Sequence, residues 1–334
     1  MESPDAMPRI TRAFDATPGS GESEGAAVSA WCRWWLSESP GLGPLTGVKP
    51  MGYQLVQLKN GSWSVRSLAE GETFHPVVGP VAEAEALYVR QLRLPERLAA
   101  HGDSEFVVWD VGLGAAANVL TVLSALRDVP GRVRVVSFDH TLEPLRFALR
   151  HAEALGYFSG HEELVATLLA EKRAEAVNGL GTVKREVHDG DFPTLLASPA
   201  SDAWPKTHAI LFDAYSPAKN PAMWTLPLFR GIHARLDPAR PCALATYSRA
   251  TLLRVTLLLA GWSVGAGSAT GEKEETTIAA NTPELLVAPL DRAWLGRAQR
   301  STSAEPMTEA VYRQAPLSAA SEAALREHPM FAAA

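Results

Sequence analysis

Cysteine is almost missing from this chain, with Cys32 and Cys242 the two in 334 residues. They lie far apart and in no C-x-x-C spacing, which excludes a disulfide framework, argues against a zinc site and suits a reducing compartment. Long apolar runs are missing too. No stretch approaches the roughly 20 residues of a membrane-spanning helix, and the Gly-, Ser- and acid-rich start lacks the basic segment and apolar core of a secretory leader. The expected location is the cytoplasm, with no membrane partner. Positive charge is in short supply as well. Lys plus Arg number 31 against 37 Asp plus Glu, a formal charge of -6. No broad basic field marks a nucleic-acid binder, although a local patch can still do that work. No Ser/His/Asp, Cys/His or metal-ligating arrangement can be recognised, and His101, His140, His151, His188 and His208 read as scattered surface or core residues.

What is present, 46% hydrophobic and 20% charged residues, describes a globular chain able to bury one large α/β core with appendages or two small ones. Residues 1–27 read as a flexible tail. Residues 28–100 read as an appendage: an apolar cluster at Trp31, Cys32, Trp34, Trp35 and Leu36, a tight hairpin alternating on both sides of Asn60-Gly61, and a helix over 83–100. From 101 to 281 strands and helices alternate. Apolar runs at 106–111, 132–138, 183–188, 208–212, 242–247, 262–266 and 275–280 are separated by helical stretches at 118–126, 142–155 and 251–260. Such βαβ units predict a Rossmann-like, mostly parallel seven-stranded sheet with right-handed crossovers. The last two strands leave no room for a helix between them, so that pair must be antiparallel. Residues 282–334, with Pro283, Pro289, Pro306, Pro316 and Pro329, predict a C-terminal appendage carrying a short helix near 318–326.

The sharpest local feature is Asp110-Val-Gly112-Leu-Gly114-Ala-Ala-Ala-Asn118, between the first strand and its helix. Glycines there let a ligand pass close to the backbone, and the helix N-terminus offers free N–H groups. Gly112, Gly114 and Ala117 fit the dinucleotide fingerprint G-x-G-x-x-A, and they equally fit the S-adenosylmethionine (SAM) version, in which an acid precedes the first glycine by two. A carboxylate at Asp110 would repel a pyrophosphate and attract a sulfonium and an amino group, so the acid favours SAM. Asp139 after the second strand would hold ribose hydroxyls, and Asp191, in Asp189-Gly190-Asp191 after the third, the adenine amino group. Singly, each carboxylate also reads as a solvated loop residue or a helix cap. After the fourth strand, Asp213-Ala-Tyr215-Ser-Pro217-Ala-Lys219-Asn220-Pro-Ala-Met-Trp224 forms a stiff loop where the transferring group would lie. Asp213 can accept a hydrogen bond from an amine, and the aromatics can flank a planar base or a cation. A rigid turn whose Asp caps a helix and whose Trp fills the core is the other reading.

These two segments resemble the SAM-dependent methyltransferase module of the MnmC/MnmD type, which methylates the aminomethyl group on the wobble uridine of certain tRNAs. Residues 110–120 are similar to the family's E-L-G-F-G-T-G-x-N-F-L turn, and residues 213–224 to its D-G-F-A-P-x-x-N-P-x-x-W. Asn60-Gly61-Ser62, Phe74-His75-Pro76 through Glu83, Ala245-Thr-Tyr247-Ser248, Ala260-Gly-Trp262 and Gly271-Glu-Lys273 match further family segments, so the resemblance covers about residues 53–281. It departs at Ala115 and Ala116, which replace a threonine and the third glycine, at the insertion 156–181, and at both termini. The resemblance implies a class I SAM methyltransferase fold, SAM as cofactor held by Asp110, Gly112, Gly114, Asn118, Asp139, Gly190 and Asp191, and an amine aligned by Asp213 with Tyr215, Pro217 and Asn220. It places His75, Glu83, Trp224, Tyr247 and Lys273 on the pocket wall and implies the stand-alone version, without the FAD oxidoreductase partner domain. The tRNA anticodon loop would meet Lys172, Arg173, Lys184, Arg185, Lys219, Arg249 and Arg254. Three alternatives stay in play: a small-molecule or protein amine as substrate, from the acidic net charge; a non-catalytic relative with a degenerate SAM turn, from Ala115 and Ala116; and a dehydrogenase, from the dinucleotide reading of the same turn.

Overall fold

Strands buried on both faces need apolar side chains on both, and β3 (Glu105–Val111) shows how the sheet meets that need. Phe106 and Val108 enter one apolar layer while Val107, Trp109 and Val111 enter the other. The computed structural model describes residues 52–270 and 274–332. Around β3 stand β4 (Arg132–Asp139), β5 (Arg173–Asn178), β6 (Gly181–Asp189), β7 (Ala209–Phe212), β8 (Ala243–Thr246), β9 (Ser263–Gly267), β10 (Thr276–Ala280) and β11 (Ala288–Pro289). They pair in the order β11-β9-β10-β8-β7-β3-β4-β6-β5. β6, β4, β3, β7 and β8 are parallel. β10 runs antiparallel to both β8 and β9, the reversal that the short connection demands.

The sheet has nine strands where seven were expected. The insertion after the second helix folds into α6 (Glu162–Glu171), Lys172 takes a left-handed conformation, and β5 pairs antiparallel with β6. At the opposite edge β11 adds two residues to β9. Before the sheet, β1 (Tyr53–Gln57) and β2 (Trp63–Ser67) pair antiparallel. Their turn is one residue longer than a two-residue Asn-Gly turn: the Gly61 N–H donates to the Leu58 carbonyl, and Gly61, at φ 86°, forms the bulge that closes it.

The helix expected over 83–100 comes as three pieces. α1 (Pro80–Ala84) runs into a π-helical turn (Glu85–Arg90), and α2 (Leu94–Ala99) follows Arg93, whose φ is 52°. Pro95 has no N–H to donate to a continuing helix, so it stands in the first turn of a new one, and the run breaks at Arg93. Val65, Leu87, Tyr88 and Leu98 are buried in the same layer as Val108. That layer also holds α3 (Ala117–Ala125), α4 (Glu143–Arg150), α5 (Ala152–Leu155) and α6. The other face is covered by α7 (Phe192–Ala197), α8 (Leu226–Arg235) and α9 (Thr251–Leu259), joined by α10 (Arg292–Gln299) and α11 (Ala319–Arg326). Ser318 caps α11 where a short helix was expected; α10, capped by Asp291, was not foreseen. The order reverses at β3, whose neighbours β4 and β7 carry the chain in opposite directions across the sheet, and open α/β sheets bind ligands beyond the carboxyl ends of their strands at such a point.

Candidate active site

Beyond β3 the chain must turn sharply to start α3. Gly112 takes φ 93°, and a Cβ there would stand 2.5 Å from the Asp213 carbonyl oxygen, so the turn after β3 and the loop after β7 touch backbone to backbone. Gly114 takes φ 50°, and its N–H donates to Asp139 Oδ2 at 2.7 Å. Ala116, in place of the family's third glycine, holds the left-handed conformation at φ 63°, and its N–H bonds the Leu113 carbonyl. The turn keeps its shape at a local cost of about 1 kcal/mol.

The acids beyond β4 and β6 do two things at once. Asp139 braces the turn through Gly114, accepts from the Thr141 N–H at 3.3 Å, and faces His140 Nδ1 at 3.1 Å, an interaction that raises the imidazole above its ordinary range. Asp191 caps α7, accepting from Thr194 N at 3.1 Å and Thr194 Oγ1 at 2.6 Å. Both still edge a cavity of about 600 Å³, together with Gly112, Gly114 and Asn118. Small-molecule sites are typically of this volume.

The opposite wall is built from the loop after β7 and the strap between β2 and α1. The Asp213 carboxylate accepts from Asn118 Nδ2 at 2.6 Å and faces His75 Nε2 at 3.7 Å; His75 Nδ1 faces Glu83 Oε2 at 3.7 Å. Asn118 is buried, and its Oδ1 meets no hydrogen-bond donor among the described residues. Tyr247 donates its hydroxyl to the Ala214 carbonyl at 3.0 Å, and burial raises its phenol. Phe74 and Tyr215 stand with ring centroids 5.9 Å apart, and Ser216 Oγ donates to Glu72 Oε1 at 3.0 Å, latching the strap to the loop. Tyr215, Asn220, His75, Glu83 and Tyr247 all line the cavity.

Four expected site residues stand elsewhere, and Lys273 lies outside the described residues. Asp110 points away from the cavity into the layer under α3, where it accepts from Ser137 Oγ at 2.9 Å. Burial lifts its carboxyl to about 6, against the pull of the buried Arg185. Gly190 is a backbone link, its N–H bonding the Asp139 carbonyl. Pro217 lies off the cavity, and Trp224 is fully buried, its indole N–H donating to the Tyr215 carbonyl at 2.7 Å; it fixes the loop from behind. Of the basic residues expected to meet RNA, Arg185 and Arg254 are buried, while Lys172, Lys184 and Arg249 are engaged by Asp189, Glu105 and Glu274. Lys219 reaches the cavity. Sequence reasoning missed Glu70, Glu72 and His140 as cavity residues. The two glutamates sit just before the Phe74-His75 segment, a signal that was available; His140 follows Asp139 directly. Among the described residues no group of His, Cys, Asp and Glu is arranged to hold a metal ion, and no helix is long and apolar enough to cross a membrane.

A family model described as S-adenosyl-L-methionine-dependent methyltransferase matches residues 161–282. Among curated proteins, the tRNA 5-methylaminomethyl-2-thiouridine biosynthesis bifunctional protein MnmC of Aeromonas hydrophila is 31% identical over 68% of this chain and 36% of its own length. Its counterpart from Burkholderia vietnamiensis is 32% identical over 58% and 30%. The chain thus spans about a third of the length of these relatives. Among solved structures, MnmC2 from Aquifex aeolicus superposes with a TM-score of 0.61 at 25% identity, covering 78% of this chain and 80% of that one. Relatives and fold agree on one family, and the chain is an S-adenosyl-L-methionine-dependent methyltransferase of the MnmC/MnmD type.

Proposed function

We propose that this enzyme transfers a methyl group to the primary amine of a 5-aminomethyl group on the wobble uridine of tRNA, in the cytoplasm. The observation that carries the reading is the abutment of Gly112 on Asp213, which sets the turn for the cofactor and the carboxylate for the amine against each other in one cavity. The residues present fit SAM: there is no room for a Cβ at Gly112, the unpartnered Asn118 Oδ1 awaits a donor, and Asp139 and Asp191 offer acceptors for hydroxyl and amino groups. When bound, SAM supplies an electrophilic methyl group. The chain's part is alignment. Asp213, held by Asn118, would accept a hydrogen bond from the amine and turn its lone pair toward the methyl carbon. Phe74 and Tyr215 would flank the base, which must leave the anticodon stack to reach them.

The test is incubation of the enzyme and methyl-labelled SAM with tRNA that carries the unmethylated aminomethyl uridine. One methyl per tRNA, found on the wobble nucleoside after digestion, supports the proposal; label absent from that nucleoside overturns it. A second reading, a small-molecule or protein amine, draws on the lining itself. Glu70, Glu72, Glu83, Asp139, Asp191 and Asp213 line the cavity, and among the described residues Lys219 is the lone lysine or arginine that does. Such a wall favours a compact cation over a polyanion. Labelling of spermidine or of a lysine peptide in place of tRNA would decide for it.

A further inference from the structure

His75 is the least comfortable residue of the cavity. Its φ is 49°, in the left-handed region that residues with a Cβ seldom occupy, and such strain persists where the surrounding structure over-determines it, often at functional sites. The strain places its ring between two carboxylates, Nε2 at 3.7 Å from Asp213 Oδ2 and Nδ1 at 3.7 Å from Glu83 Oε2. All three side chains are largely buried, 10% exposed for His75 and Glu83 and 19% for Asp213, so the row is shielded from bulk water. Other charged or titratable groups approach from every element around it: Glu70 and Glu72 from the strap, Tyr88 from the π-helical turn, Lys219 from the loop after β7, and Tyr247 from beyond β8. Asp110 lies below the row. The phenols of Tyr88 and Tyr247 are held above their ordinary range by burial and by the carboxylates, which leaves His75 as the base between the two acids.

An alkylamine is protonated near neutral pH and has no lone pair to attack with until a proton has gone. We propose that Asp213, His75 and Glu83 form a proton relay that removes this proton, an inference that rests on the amine-methyltransferase reading of the site. Asp213 accepts the proton from the substrate ammonium, leaving the lone pair on nitrogen. His75 Nε2 takes it from Asp213 while the proton on Nδ1 passes to Glu83 Oε2, and Glu83, which lines the cavity, gives it up to water. The amine nitrogen then forms its bond to the methyl carbon as the carbon–sulfur bond breaks, its electron pair remaining on sulfur. The product is a secondary ammonium, and one proton reaches solvent per turnover.

The experiment pairs a proton titration with kinetics. Asn and Gly both accept φ near 50°, so His75→Asn and His75→Gly keep the backbone, and calorimetry with S-adenosylhomocysteine confirms an intact fold if affinity stays within about threefold of the wild type. In wild type, Glu83→Gln and Asp213→Asn, the His75 ring is followed by nitrogen NMR against pH. The expected result is a midpoint about one pH unit lower in each variant, because one of two flanking negative charges has gone. In single-turnover methyl transfer, His75→Asn and Glu83→Gln should lower the rate roughly 10²-fold, with the rate now climbing tenfold per pH unit as the amine loses its proton to solvent. Imidazole should restore His75→Gly at least tenfold. An unchanged His75 midpoint in Glu83→Gln overturns the relay, as does a His75→Asn rate within threefold of the wild type with the same pH profile. A wild type that binds S-adenosylhomocysteine but transfers no methyl to the aminomethyl tRNA overturns the substrate reading instead, and the ring titration decides the relay by itself.

Discussion

At Asp110 a single carboxylate separates what a motif names from what a fold does with it. The sequence identified an acid two residues before the first glycine; which way the side chain points depends on the register of β3, which no motif encodes. Its neighbours across the sheet are Ser137 of β4 and the buried Arg185 of β6, and burial lifts its carboxyl to about 6 from an ordinary 3.8. A carboxyl whose folded value is raised gives stability that is full below about pH 4 and is lost as pH climbs through 6. Chemical denaturation of the wild type against Asp110→Asn should therefore show the pair nearly equal at pH 4 and the variant gaining, by up to about 3 kcal/mol, by pH 7. A constant gap across that range would show that Asp110 does not titrate there. Gly112 is the converse case: the glycine was legible, but its reason was not. The obstacle to a side chain is the Asp213 backbone, remote in sequence. Gly112→Ala combines a strained φ with a clash, and should cost about 2–4 kcal/mol in thermal unfolding and weaken S-adenosylhomocysteine binding at least tenfold.

Among the elements, the parallel strands were legible because each is a short apolar run fenced by turns. β5, β11 and α10 were not. Arg173–Asn178 reads as polar because an edge strand needs only one apolar face, and β11 is too short to leave a pattern. The strap between β2 and α1 shows no regular periodicity, yet it brings Glu72, Phe74 and His75 to the cavity and is latched by Ser216 on Glu72. Glu72→Gln should weaken that charge-assisted bond by about 1 kcal/mol, seen as roughly fivefold faster release of S-adenosylhomocysteine in stopped flow. The segment from 282 onward read as an extended appendage, but Trp294, Leu295, Met307, Leu325 and Phe331 are buried against α8 and α9, and the Leu226 N–H bonds the Met307 carbonyl. Cutting the chain after Asp291 removes these five large buried side chains, at about 1.5–3 kcal/mol each, together with the buried Ala298 and Ala304, enough to unfold a marginally stable domain. Circular dichroism on the truncated protein should show no cooperative transition.

For the molecule as a whole, the net charge is -6 and Lys172, Lys184 and Arg249 are engaged by carboxylates, which weakens the hold on a phosphate backbone. If tRNA is the substrate, its affinity should depend weakly on salt, with a log–log slope of about -3 or shallower. Lys219→Ala should remove about one from that slope. A steep slope left intact in the variant would place the RNA on a surface far from the cavity. The fold class was legible in the alternation of apolar runs and helical stretches, and about half of the cavity lining in two contiguous motifs at strand ends; the acidic strap and the buried fate of Arg185 and Arg254 depend on which faces meet across the sheet. The contact of Gly112 with Asp213 carries one more consequence. The two walls share an incompressible joint, so a ligand that moves one moves the other, and reciprocity is then obligatory. Whatever factor S-adenosylhomocysteine lends to the affinity of a ligand held on the Asp213 wall, that ligand must return in equal measure.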